Sequence, residues 1–96
     1  MDPLQFTRIA KALADPRRFE ILEMIAAEDE VACKRMVERF PVAQATISHH
    51  LKELATAGLI QARREGQSGH YRVCPGVLEG YAEEMRRRLR LREPVG

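Results

Sequence analysis

The chain has 96 residues, and with 45% of them hydrophobic it can build one modest core but not a core plus an elaborate enclosed pocket. Its formal net charge of only +2 announces no nucleic-acid partner by itself, so any such surface must come from how the charges are distributed. No run of about 18 apolar residues and no basic-then-apolar leader is present, so we expect no membrane span, no signal peptide and a cytoplasmic location.

Two cysteines, Cys33 and Cys74, are too few for a disulfide scaffold and lack CxxC spacing, so reduced thiols are expected. Charge is unevenly placed. Acidic residues gather at Glu28, Asp29 and Glu30, whereas basic ones gather at Arg63 and Arg64 and again at Arg86, Arg87, Arg88 and Arg90.

In the first segment, about 3–13, Phe6, Ile9, Ala10 and Leu13 stand at i, i+3, i+4 and i+7, with Leu4 extending the stripe. This predicts a helix whose wide apolar face needs a partner surface. Asp15-Pro16 then reads as a helix start: aspartate can cap free amides, and proline fits the first helical position, where its missing N–H costs nothing. Phe19, Ile21, Leu22, Met24 and Ile25 place the second helix in the centre of the fold, while Arg17 and Arg18 in its first turn point outward, read as a solvated helix end in preference to a phosphate contact. A short third helix, about 32–39, turns Met36, Val37 and Phe40 inward, and Pro41 ends it. Only a few residues separate it from the next helix. The two must form a tight helix-turn-helix, which presents its second helix to a major groove.

That second helix, about 44–57, is the element the rest holds in place. Ile47, Leu51 and Leu54 form a narrow inward stripe, with Ala45, His49, Lys52 and Thr56 roughly opposite and Gln44 and Ser48 flanking. Amide, hydroxyl and imidazole groups on an exposed helix suit hydrogen bonding to base edges and phosphates. His50 borders the stripe and is expected to be packed, neutral and hydrogen-bonded within the domain. Gly58 supplies a left-handed C-cap.

Residues 59–64 and 70–73 read as two strands around the polar loop EGQSG, a hairpin spanning about 59–73. Alternation turns Ile60, Ala62, Tyr71 and Val73 inward and Gln61, Arg63, His70 and Arg72 outward. A last helix, about 76–92, carries Leu78, Tyr81, Ala82, Met85 and Leu89 at helical spacing. The predicted fold is mainly α with a small β-hairpin wing, a single winged helix-turn-helix domain over 1–96.

KALADPRRFEILEMI, ATISHHLKELATAGLI and the GLI-to-YRV hairpin resemble the ArsR/SmtB family of bacterial transcriptional repressors over nearly the whole chain. The resemblance implies a homodimer joined by its first and last helices, binding an inverted-repeat operator in duplex DNA. Leu4, Phe6, Ile9, Leu78, Tyr81, Met85 and Leu89 would line the dimer interface. Gln44, Thr46, Ser48 and His49 occupy the family's usual DNA-contact positions, and the charge pattern adds Lys52, Arg63, Arg64 and His70. The sequence departs from the family at Ala43 and Ala45, where serines are customary; losing the cap at Ala43 costs about 1 kcal/mol.

Many members of the family sense metals, one site through Cys-x-Cys at the start of the third helix. Those two positions fall here on Ala32 and Lys34, with Cys33 between them, and the last helix has neither the aspartate nor the histidine of another known site. No metal site and no cofactor is expected, and any small-molecule inducer is left open. A thiol switch between Cys33 and Cys74 stays an alternative, as does a winged-helix module for protein contacts. Neither a carboxylate pair, a nucleophile elbow nor a phosphate-cradling loop supports an enzyme.

Overall fold

The computed structural model describes residues 1–91. Its elements run α1 (Pro3–Ala14), α2 (Pro16–Ala26), β1 (Val31–Ala32), α3 (Cys33–Arg39), α4 (Gln44–Thr56), β2 (Ile60–Glu65), β3 (Ser68–Val73) and α5 (Pro75–Leu89). The end of the expected last helix, at residue 92, lies outside the described residues.

Local chemistry accounts for the helix starts. Asp2 accepts the amide of Leu4 and Asp15 that of Arg18, each at 3.0 Å, with proline opening both helices. The start of α4 has no such help: Ala43 offers no side-chain acceptor. Its other end is well closed. Gly58, at φ 82°, lets its own amide reach the Ala55 carbonyl at 2.9 Å and the Leu59 amide reach that of Leu54 at 3.0 Å, the paired bonds of a Schellman motif.

Ile9, Ile21, Ile25, Val31, Met36, Ile47, Leu51, Leu54 and Leu59 are fully buried, so α1 to α4 build one core, against which Val77, Leu78 and Tyr81 of α5 pack half-buried. Burying each such side chain contributes about 1.5–3 kcal/mol, which fixes α4 by its apolar stripe and leaves its far side free. Three expectations need correction here. Ile9 was expected at a partner surface, but it is fully buried in its own chain because α1 packs on α2 and α4. Phe19 was expected in the centre and is 43% exposed, since Ile21, Leu22 and Ile25 take the inward side of α2. Ala62 was expected inward and is exposed, because β2 extends past the core after Ile60.

The sheet also differs. It has three antiparallel strands in the order β1-β3-β2, with Val31 opposite Tyr71 and Ala32 opposite His70. The extra strand ties the start of α3 to the wing. The hairpin turn is tighter than the five-residue loop expected: Glu65 pairs with Ser68, leaving only Gly66 and Gln67 to turn the chain. Gly66, at φ 62°, takes the first turn position, where glycine suits the twist of a two-residue hairpin.

At the two ends of the chain, α1 and α5 meet through Phe6 and Tyr81, whose ring centroids are 4.9 Å apart, and Arg88 caps the Phe6 ring at 4.4 Å. Leu4, Leu89 and Leu91 are left uncovered at 57%, 62% and 54% exposure, while Leu78 and Met85 are half-buried. An apolar ridge therefore runs along this end of the protomer.

Candidate nucleic-acid interface

The side of α4 away from the core is a continuous polar face. Gln44, Thr46, Ser48, His49 and Lys52 are all exposed, and each is held by a helix whose opposite side is locked into the core. Five of the eight residues expected to touch DNA thus share one helix surface.

Register divides the other three. Strand neighbours alternate between faces, so Arg64, paired with Gly69, lies on the side of Ala62 and Tyr71, whereas Arg63, paired with His70, lies on the other. Arg64, Gln44 and Ser48 border one cleft of about 300 Å³ between α4 and the wing; Arg63 contributes to its lining as well, but its guanidinium is taken by Glu30 and Glu65. No carboxylate pairs with Arg64 among the described residues. Of the two arginines at the cleft, it is the one whose charge is not already paired.

Arg63 and His70 are placed differently. Arg63 donates two hydrogen bonds to Glu30, at 2.6 and 3.1 Å, and one to Glu65 at 3.2 Å. His70 sits between the same carboxylates, 3.7 Å from Glu30 and 3.8 Å from Glu65. The guanidinium fork holds the Glu30 carboxyl below its usual range, and the two carboxylates push Arg63 still higher. The charge that the sequence assigns to DNA is neutralised in the protein itself. Glu30 is the residue that sequence reasoning missed, and its only sequence signal was membership of the acidic cluster.

His50, 7% exposed, is packed between α2 and α4, and its Nδ1 accepts a hydrogen bond from Arg18 Nε at 3.3 Å. Burial pushes the imidazole below its ordinary value, with Arg18, His49 and Arg17 acting in the same direction and Asp15 opposing. A neutral ring keeps the Nδ1 lone pair available as an acceptor.

The cysteine alternative meets a geometric obstacle. Ala32 lies opposite His70, and Cys74 is four residues further along β3, about 13 Å at about 3.3 Å per residue, while Cys33 leaves in the opposite direction. A disulfide needs Cα atoms within about 7 Å, so Cys33 and Cys74 cannot bridge within one protomer of this fold. Burial also raises the Cys33 thiol, which disfavours the reactive thiolate.

Donor chemistry likewise does not fit the family's soft-metal site. At the start of α3 one thiol stands between Ala32 and an exposed Lys34, and no group of three or more His, Cys, Asp or Glu side chains converges among the described residues. Nor is any described helix long and apolar enough to cross a membrane.

Residues 13–61 match the family described as a helix-turn-helix domain. The chain is 35% identical over 75 residues to the arsenical resistance operon repressor of Staphylococcus xylosus, covering 78% of this chain and 71% of that protein. It belongs to the ArsR family of transcriptional regulators. The arsenical resistance operon repressor of Staphylococcus aureus is 30% identical over 81 residues, covering 84% of this chain and 77% of its own length. Among solved structures, an ArsR-like regulator from Rhodococcus superposes with a TM-score of 0.79 at 26% identity, covering 88% of this chain and 78% of that one. A homodimeric winged helix-turn-helix DNA-binding domain from Mycobacterium bovis, a possible ArsR-family regulator, gives 0.72 at 32% identity over 93% and 82% of the two chains. As an ArsR-family member the chain is a DNA-binding transcriptional regulator and not an enzyme.

Proposed function

We propose that this ArsR-family regulator represses transcription by binding an inverted-repeat operator as a homodimer, without metal as its inducer. The observation that carries the reading is the exposed face of α4, with Gln44, Thr46, Ser48, His49 and Lys52, flanked across an open cleft by Arg64, which has no carboxylate partner among the described residues. Such a face fits a major groove, where Gln, Ser and His groups read base edges while Lys52 and Arg64 hold phosphates. Arg63 and His70 contribute only if DNA displaces Glu30 and Glu65.

The uncovered ridge of Leu4, Leu89 and Leu91, continued by the half-buried Leu78, Tyr81 and Met85, supports a two-fold partner that sets two α4 helices about one turn of duplex apart, roughly 34 Å. The test is a titration of purified protein against fragments of its own promoter region at several salt concentrations, with mass determined by light scattering. Specific retention by a dimer, weakening steeply as salt rises, is expected. A stable monomer, or equal binding to promoter and random fragments, overturns the reading.

A further inference from the structure

A helix lying in a major groove has a phosphate backbone on each wall, and Arg64 addresses one wall only. At about 100° per residue, Gln44 and Ser48 fall on one edge of the α4 apolar stripe and His50 on the other. The wing with Arg64 stands over the first edge. Over the second stands the first turn of α2, where Arg18 Nε donates to His50 Nδ1 at 3.3 Å.

Of the two arginines in that turn, Arg17 has other employment: it lies 3.8 Å from Glu20 and stacks 5.3 Å from the centre of the Phe40 ring. Arg18 does not. Its backbone amide is taken by the Asp15 cap at 3.0 Å, but its guanidinium spends a single N–H on His50 and leaves the terminal nitrogens without an acceptor among the described residues. A guanidinium held by Nε with its outer edge open is arranged for the oxygens of one phosphate. Asp15 is the nearby carboxylate; its side chain accepts the Arg18 amide and feels the Arg18 charge, but it makes no hydrogen bond to the guanidinium among the described residues.

We propose that Arg18 is a phosphate contact on the wall of the major groove opposite the wing, and that His50 is the positioning residue that aims it. This rests on the DNA-binding reading above and extends it from the recognition helix and wing to α2. Two cations then bracket α4, one from each neighbouring element. The buried histidine has the task of orienting a side chain toward DNA without touching it.

The experiment measures operator affinity against salt for the parent protein, Arg18→Ala, Arg18→Lys, His50→Gln, His50→Leu and Arg18→Ala/His50→Leu, with thermal melts verifying that each is folded. Arg18→Ala should lower the salt slope by about 0.9 per half-site and weaken binding about tenfold per half-site, the usual scale of one charge-assisted hydrogen bond. Arg18→Lys should keep the slope and lose part of the affinity. His50→Gln retains an acceptor and should bind better than His50→Leu, and the leucine should add nothing once Arg18 is gone. A purely structural role would give additive losses with an unchanged slope, which overturns the proposal. Replacing single phosphates by neutral methylphosphonates adds a second readout: one position per half-site should weaken the parent but leave Arg18→Ala unaffected. If the parent binds its operator and Arg18→Ala matches it in affinity and slope, this proposal alone falls. If the parent binds no duplex specifically, the underlying reading falls with it.

Discussion

Arg63 and Arg64 are adjacent in sequence and point to opposite faces of one strand, and their surroundings could hardly differ more. Arg64 faces the cleft beside Gln44 and Ser48 with no carboxylate partner among the described residues, whereas Arg63 is held by Glu30 and Glu65 beside His70. The same residue type, one step apart, is in one case an available cation and in the other part of a closed ion-pair cluster. Counting basic residues along a wing therefore overstates its charge, because availability depends on partners brought from elsewhere in the chain.

The contrast can be broken most directly at Arg64. Arg64→Ala should raise the dissociation constant for duplex about tenfold per half-site, for operator and random fragments alike, and lower the salt slope by about 0.9 per half-site, read by fluorescence anisotropy. Glu30→Gln works on the other face. By freeing Arg63 it should tighten binding a few-fold and steepen the slope, by at most about 0.9 per half-site; unchanged affinity would mean that Arg63 faces away from DNA whether or not it is paired. Arg63→Ala should weaken binding by no more than about twofold, through the Glu30 and Glu65 carboxylates it leaves unpaired and not through a lost phosphate contact.

The smallest effect concerns protons. Glu30 titrates below its ordinary 4.5 mainly because Arg63 donates to it, so the unfolded chain takes up the proton first on acidification. Its stabilising contribution is complete above 4.5 and is lost as pH falls through the lower native value. In Arg63→Ala the carboxyl carbon of Glu30, followed by NMR, should titrate closer to 4.5, and a curve identical to the parent's would remove Arg63 as the cause.

Most of this architecture was legible before any coordinates. Helical spacing revealed five helices, Asp15-Pro16 marked a start and Gly58 a stop, because these signals lie within a few residues of the feature they specify. His50 was readable as a packed ring for the same reason: it borders the Ile47, Leu51 and Leu54 stripe. What escaped was long-range. Val31–Ala32 is too short to alternate and is a strand only because β3 pairs with it. Ile9 looked available to a partner because periodicity identifies an apolar face but not which protomer covers it. Arg63 and His70 looked free because Glu30, more than thirty residues earlier, leaves no mark on the wing's own sequence.

The corner at Gly58 has its own consequence. Any side chain there would have to adopt a left-handed backbone and would bring its first carbon to 2.9 Å from the side-chain nitrogen Nε2 of Gln5, which donates to the Ala57 carbonyl at 3.3 Å. The joint between α4 and the hairpin is thus set by the left-handed backbone of Gly58, with the Gln5 side chain of α1 hydrogen-bonded beside it. Its reach along a duplex is fixed like the span of a caliper, so a different target can be read by exchanging groups on the jaws while the gauge between them stays the same.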